Sequence, residues 1–158
     1  SILMYSLMGV GAVTLTSTAL VQGVMVLRSP AFALPPALKQ GIGWGLVLTF
    51  GLGTGFGGYL SASPTGHWIG GQPSDAAGLA VVQWARDGGD LRVAHFFGIH
   101  AVHFIALFAW GLVVFARHVN VPGLSGHTRQ WVWAFCAAYS AFCLWTFQQA
   151  VRGQPFLA

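Results

Sequence analysis

The sequence predicts an all-α, polytopic membrane protein: a bundle of four transmembrane helices in a single membrane domain over residues 1–158. Three observations predict this fold. Hydrophobic residues make up 55% of the 158 residues and charged residues only 6%, whereas an ordinary soluble domain is about 25% charged. The mean hydropathy is +0.67. Four apolar stretches each approach the ~20 residues that cross the hydrocarbon core as a helix.

The first two stretches cover residues 2–27 and 38–60, and Pro35-Pro36 separates them. The first is too long for a signal peptide and lacks a basic start, so we expect a retained span. The second is rich in glycine and contains three G-x-x-x-G pairs, Gly41/Gly45, Gly51/Gly55 and Gly53/Gly57. Such pairs let another membrane helix approach closely. We therefore expect helix two to pack tightly, with association with other membrane subunits or a second copy through its glycines.

The third and fourth stretches cover residues 92–115 and 130–150. Asp90 precedes the third stretch and is a favourable N-cap residue. Ser125 or Thr128 is the expected cap of the fourth. These caps place both helix starts close to the ends of the apolar stretches.

One long extramembrane loop, residues 61–91, separates the second and third spans. Its serine, proline and glycine content is typical of a loop. Within it, residues 75–85 either form a short interfacial helix or belong to an ordered cap over the end of the bundle. Both possibilities keep the loop close to the membrane.

Charge predicts the orientation and excludes some functions. The loops after spans one and three contain four basic residues and no acidic residue, whereas the opposite side contains three basic residues, Arg86, Arg92 and Arg152. The bias of cytoplasmic loops toward Lys and Arg then places both termini and the long loop in the periplasm. The basic residues occur singly, so we expect no nucleic-acid binding.

The motifs of soluble enzymes are missing from the sequence. The spans contain no acidic residue, and G-x-S-x-G, Walker A and H-E-x-x-H do not occur. We therefore expect a protein without catalytic activity.

Cys136 and Cys143 lie seven residues apart, which is about 10 Å along a helix and too far for a disulfide.

Three histidines on one predicted membrane helix, His95, His100 and His103, are the candidate functional residues. Ionisable side chains at membrane depth are costly, usually face the bundle interior and often have a function. At 100° per residue, His100 and His103 are about 60° apart and share a face. His95 and His100 are about 140° apart and cannot readily bind one small ion together. We therefore expect His100 and His103 to form an interior pair.

Four hypotheses for these histidines remain open. They hydrogen-bond across helices to hydroxyl groups of span one. They bind haem b, chlorophyll or another tetrapyrrole, with His95 and the loop residue His67 as possible axial ligands. They hold a metal, either through His67, Asp90 and His95 or through His100 and His103. Lastly, His100 and His103 handle a quinone or protons.

The string GGDLRVAHFFGIH at residues 88–100, together with Gly66-His67-Trp68, resembles a group of uncharacterised bacterial membrane proteins. The resemblance covers the long loop and span three. It implies the bacterial inner membrane and no established activity. We favour a non-catalytic accessory subunit of a larger, energy-transducing membrane complex. The alternative is a tetrapyrrole- or quinone-binding redox protein that uses the histidines of the third span.

Overall fold

The structure, a computed structural model, describes residues 2–119 and 124–157. The chain is all-helical, with 71% of its residues in helices and 3% in strands. The helices are α1 (Ile2–Arg28), α2 (Pro36–Ala62), α3 (Leu91–Ile99), α4 (Ala101–His118) and α5 (Leu124–Val151), and the strands are β1 (Trp68–Ile69) and β2 (Gly89–Asp90). The two strands pair antiparallel and close the long loop.

Among the described residues, two helical segments, Ser6–Arg28 and Ala101–His118, are long and apolar enough to cross a membrane by length and composition. The helices α2 and α5 have 27 and 28 residues, which exceeds the ~20 residues that a span requires. Glycine in α2, and tryptophan and glutamine in α5, contribute little hydropathy. Helices α1 and α4 are therefore the ones that are both long enough and apolar enough to cross a membrane.

Helix α2 lies at the centre of the fold and packs against all four other helices. Its glycines permit the contacts. A Cβ atom on Gly45 would lie 2.8 Å from the Val102 Cα atom of α4, and one on Gly53 would lie 2.9 Å from the Ile99 Cγ2 atom of α3. Neither position has room for a side chain. The close packing predicted for helix two is therefore confirmed at these glycines.

Of the other glycines of α2, Gly41 lies against α4 and Gly57 against His95 of α3, whereas the rest either approach α1 or have open space around them. A Cβ atom on Gly43 would lie 3.2 Å from the Gly23 carbonyl oxygen of α1. Gly51 and Gly55 would have no neighbouring atom within 4 Å. Two of the three G-x-x-x-G pairs thus serve contacts within the chain, and the Gly51/Gly55 pair faces outward.

The core lies where α2, α4 and α5 meet. Small and medium side chains, among them Ile105 and Ala109 of α4 and Val132 of α5, are almost completely buried there. Cys136 and Cys143 of α5 are buried and free, as their spacing predicts. These small side chains let three helices approach one another closely.

The helices differ from the sequence prediction at two places. The predicted third span corresponds to two helices, α3 and α4, interrupted at His100. The fourth begins at Leu124, so Thr128 lies inside α5 and does not cap it. The side chain of Ser125 and the preceding residues 120–123 lie outside the described part of the structure.

The long loop is ordered without a helix. Residues 75–85 form turns, in which Val81 and Gln83 adopt positive φ angles of 73° and 55°, so the interfacial-helix hypothesis is wrong. The Leu91 amide donates to the His67 carbonyl oxygen at 2.9 Å. This bond and the β-ladder hold the loop against the start of α3, as expected of an ordered cap.

Candidate functional site

The break at His100 is the irregular feature of the histidine-bearing segment. His100 has φ −97° and ψ 8° between α3 and α4. In a continuous helix the Val102 amide would donate to the carbonyl of residue 98. Here it donates to the Thr49 hydroxyl of α2, with an N···O distance of 3.0 Å. A side chain from the neighbouring helix thus satisfies a backbone donor at the break.

His100 and His103 form a pair on the outer side of the helix. Their Nδ1 atoms lie 3.4 Å apart, so the prediction that they share a face is confirmed. His103 is exposed and His100 is half-buried. The His100 ring also contacts the Phe96 ring, with 4.4 Å between centroids. We call the exposed side of α3 and α4 the histidine face, defined by Phe96, His100, His103, Leu107 and Trp110.

The prediction that His100 and His103 face the bundle interior is wrong within the single chain. The opposite side of the same helices carries Ala94, Ala101 and Ile105, and all three are fully buried. Because α2 and α5 approach this side closely, it accommodates small side chains and excludes the imidazoles. The two histidines therefore point away from the core.

His95 is the histidine that packs between helices. A Cβ atom on Gly57 of α2 would lie 2.9 Å from the His95 Cε1 atom. The ring also hydrogen-bonds the Gly53 backbone. Its Nδ1 atom is buried and has no partner among the described residues. Hence α2 positions His95 through a glycine gap, apart from the other two histidines.

Among the described side chains of α1, the four hydroxyl groups closest in sequence to one another do not contact these histidines. Helix α1 packs against α2, and its hydroxyl groups donate to carbonyl oxygens of its own preceding turn. The donors are Thr14, Thr16, Ser17 and Thr18. The hypothesis that the imidazoles bond to span one is therefore wrong, because α2 separates α1 from the histidine-bearing helices.

A polar network fixes the long loop to α3. Asp90 is buried and accepts hydrogen bonds from the Ala85 amide at 3.0 Å and the Arg92 amide at 2.9 Å. The first bond ties the loop to β2, and the second confirms Asp90 as the N-cap of α3. The Arg92 guanidinium bridges Asp90 and Asp75, each at 2.7 Å. One arginine thus joins the helix start to the loop.

His67 joins the edge of this network. Its Nε2 atom lies 3.4 Å from Asp75 Oδ1, and its ring packs against the Trp68 ring at a tilt of 37°, with 3.6 Å between centroids. The Arg92 guanidinium, with a smaller contribution from His67, lowers the pKa of the Asp75 carboxyl below its ordinary 3.8. The ionised carboxylate of Asp75 is therefore favoured by its contact with Arg92.

The predicted metal set of His67, Asp90 and His95 is not brought together. His67 contacts Asp75, Asp90 contacts Arg92, and His95 lies against α2. Within residues 2–119 and 124–157, no group of three histidine, cysteine or acidic side chains is placed to hold a metal ion. Asp90 instead has a structural role.

Aromatic side chains of α3 and α4 are used for packing against α5. Phe108 stacks on Phe135 of α5 with 4.1 Å between centroids, and Phe97 contacts Phe142 at 4.9 Å. The Tyr139 hydroxyl donates to the Phe97 carbonyl oxygen at 2.8 Å. These aromatic side chains bind α5 to α3 and α4.

Sequence reasoning missed two residues that organise the site, Thr49 and Asp75. Thr49 is a single hydroxyl in a glycine-rich stretch, and nothing in the sequence indicates its acceptor role. Asp75 carried a signal, because it is one of only three acidic residues in the chain. A carboxylate in so apolar a chain needs a partner of opposite charge, and an arginine close to the loop is the expected one for Asp75.

The chemistry available to the outward pair is that of imidazole. Each ring can donate one hydrogen bond, accept another or ligate a metal. In the described part of the chain, their polar contact is with each other, which leaves both Nε2 atoms without a protein partner.

Comparison with known proteins finds no matching family model, no similar curated protein and no similar solved structure.

Proposed function

We propose that this chain is a four-span integral membrane protein of the bacterial inner membrane and acts as a non-catalytic subunit. It binds another membrane protein through the histidine face. The observation that carries the proposal is the pair of imidazoles on an otherwise apolar, exposed helix surface. His100 lies nine residues beyond the start of α3, about 14 Å along the axis and near the middle of a ~30 Å hydrocarbon core.

The cost of exposing these imidazoles to lipid supports a protein partner. A polar group in hydrocarbon without a hydrogen-bond partner costs several kcal/mol. The pair satisfies one nitrogen of each ring internally, and the two Nε2 atoms remain. Polar side chains or backbone groups of a second protein satisfy them, and the large exposed Leu107 and Trp110 side chains supply apolar contact around them.

The surface of the bundle supports a lipid environment. Large apolar side chains of α1 are widely exposed, including Leu7 at 63% and Leu15 at 73%. A soluble monomer rarely exposes so large an apolar surface. In addition, the three acidic residues of the chain all lie in the long loop and its junction with α3. A bilayer around the helices accounts for both facts.

The four-span topology places α3 and α4 together as one crossing and α2 and α5 as two others. The basic residues of the loops then favour a periplasmic long loop and periplasmic termini. The polar network of Asp75, Asp90 and Arg92 is consistent with this arrangement, because it lies where α3 leaves the membrane and meets water.

A second candidate function is the binding of a lipid-soluble tetrapyrrole or quinone on the same face. The observation in its favour is that the His100 ring contacts the exposed Phe96 ring, and that a second aromatic side chain, Trp110, is exposed on the same face. An absorption spectrum of the purified protein separates the two candidates. A Soret band that disappears in His100→Ala or His103→Ala supports a tetrapyrrole ligand.

Site-directed photo-crosslinking tests the favoured function. A benzoylphenylalanine at Leu107, on the histidine face, is compared with one at Leu15, which is similarly exposed on α1. We expect a discrete protein adduct at Leu107 in native membranes, with the partner peptide identified by mass spectrometry, and no discrete adduct at Leu15. Equal, diffuse products at both positions contradict the proposal, because they mean that the histidine face meets lipid as α1 does.

A further inference from the structure

We propose that a cavity at the end of the bundle opposite the long loop binds the phosphate group of an anionic phospholipid. The cavity has a volume of about 370 Å³ and lies where α1 ends and α2 and α5 begin. Lys39, Gln40 and Arg129 form its polar wall, and we call it the basic cavity. This site rests on the proposed function only in that the helices must cross a bilayer, and it lies on a different surface from the histidine face.

Hydrogen bonds between helices hold both cations of the basic cavity. The Lys39 ammonium donates to the Ser29 carbonyl oxygen at 2.7 Å, which ties the start of α2 to the end of α1. The Gln40 amide oxygen, in the orientation that satisfies both groups, accepts from Arg129 Nη2 at 3.0 Å, which ties α2 to α5. An ammonium carries three donors and a guanidinium five, so both side chains keep donors for a bound anion.

The positive charge of the basic cavity has no counter-charge at this end of the bundle. All three acidic residues, Asp75, Asp87 and Asp90, lie between α2 and α3, beyond the other end of α2. The first turns of α2 and α5 contain no acidic side chain, so the positive ends of both helix dipoles add to the potential. Two cations and two helix starts favour an anion that has several acceptor oxygens, as phosphate has.

The apolar wall of the cavity favours a phospholipid over free phosphate. Leu27, Phe32 and Leu34 line the other side of the cavity, and Phe32 and Leu34 are 43% and 37% exposed. The charged donors therefore adjoin an apolar surface at the end of α1, a helix whose large side chains are widely exposed. A phospholipid matches both parts, because its phosphate meets the donors and its acyl chains continue along the apolar surface. Basic pockets between membrane helices on the cytoplasmic side bind anionic headgroups in this way.

The competing explanation of these basic residues is that they serve only to orient the protein. Lys and Arg retain short loops on the cytoplasmic side, a role that needs neither a cavity nor a ligand. The two explanations differ in which cations matter. Orientation depends on the number of charges at this end, whereas a binding site depends on Lys39 and Arg129. Arg117, in the last turn of α4, belongs to the same end but is not among the described residues that line the cavity.

Native mass spectrometry of the purified protein in detergent tests the lipid site. No bilayer is present, so the orientation of the protein cannot affect the result. Phosphatidylglycerol and phosphatidylcholine with identical acyl chains are titrated separately. We expect one saturable phosphatidylglycerol per chain, bound at least about tenfold more tightly than phosphatidylcholine, because each cation near an anionic headgroup contributes about fivefold.

Variants of the cavity and one matched control locate the site. Lys39→Gln and Arg129→Gln should each lower the affinity for phosphatidylglycerol about fivefold, whereas Arg129→Lys should retain most of it because it keeps the charge. Arg117→Gln removes one exposed cation from the same end and should bind as the unchanged protein does. Circular dichroism recorded alongside checks that the helix content is unchanged. Arg129 is exposed, so its replacement should not affect folding.

Three results overturn the lipid site. They are equal affinity for the two lipids, an equal loss of affinity in Arg117→Gln and Arg129→Gln, and displacement of phosphatidylglycerol by millimolar inorganic phosphate. We expect no such displacement, because inorganic phosphate makes no contact with the apolar wall. A discrete Leu107 crosslink would leave the proposed function standing in each case. Failure of the proposed function has a separate signature, namely the absence of any discrete adduct at Leu107.

Discussion

Thr49 and Thr54 lie five residues apart on α2, and their hydroxyl groups are in different situations. The Thr49 hydroxyl accepts the Val102 amide of α4 at 3.0 Å, whereas the Thr54 hydroxyl is buried without a partner among the described residues. A buried backbone donor must be satisfied. Thr49 therefore stabilises the break beside His100, and Thr54 contributes mainly volume.

Replacing each threonine by valine tests this difference at constant shape. Thr49→Val should lower the free energy of unfolding by about 1–3 kcal/mol, because it leaves the part-buried Val102 amide without its acceptor. Thr54→Val, the matched control, should be neutral or stabilising by up to about 1 kcal/mol. Unfolding in mixed micelles with increasing denaturing detergent measures both. Equal destabilisation by the two variants would show that the hydroxyl of Thr49 has no particular role.

The sequence predicts the pairing of His100 and His103 but not their direction. Pairing follows from a spacing of three residues on a helix, which is a local property. Direction depends on which side of α3 and α4 the neighbouring helices approach, and alanine at 94 and 101 indicates that side. Imidazoles in membrane helices usually face the bundle interior, and the prediction followed this general rule. The small residues on the opposite side of the helices indicate the face that is in fact buried.

At the scale of the helices, the glycines of α2 decide which neighbours approach. Gly41 and Gly45 contact α4, Gly53 contacts α3, and Gly43 contacts α1. The sequence predicts close packing from G-x-x-x-G spacing. It does not distinguish pairs used inside the chain from Gly51/Gly55, which faces outward, because the spacing is identical and only the tertiary arrangement separates them.

The contrast between Gly45 and Gly51 gives a test on one helix. Gly45→Ala places a Cβ atom 2.8 Å from the Val102 Cα atom, so the helices must separate, and we expect a loss of about 1–3 kcal/mol in the free energy of unfolding. Gly51→Ala meets no atom within 4 Å and should gain up to about 1 kcal/mol from helix propensity. Thermal unfolding followed by circular dichroism reports both. A Gly45→Ala variant as stable as Gly51→Ala would contradict the packing described for α2.

At the scale of the whole molecule, the chain separates its polar groups from its apolar surface. The acidic residues and Arg92 lie together in the long loop and the start of α3, and the helices expose large apolar side chains. Composition predicts an all-helical, apolar chain. The break at His100 escaped prediction, because it depends on a contact with Thr49 of α2.

The proposal of four membrane crossings extends beyond the two helices whose length and apolar character suffice by themselves. The two possibilities differ in the position of the loops. If α2 crosses, Ala33 before it and Ala77 after it lie on opposite sides. If only α1 and α4 cross, these two residues lie on the same side.

Cysteine accessibility in intact cells tests this central claim most directly. Ala33→Cys, Ala77→Cys, Gly126→Cys and Gln154→Cys are exposed positions, while the native Cys136 and Cys143 are buried; the unchanged protein serves as the background control. With a membrane-impermeant maleimide, we predict labelling of the cysteines at 77 and 154 in intact cells, and of those at 33 and 126 only after the membrane is opened. Labelling of positions 33 and 77 from the same side would contradict the four-span protein.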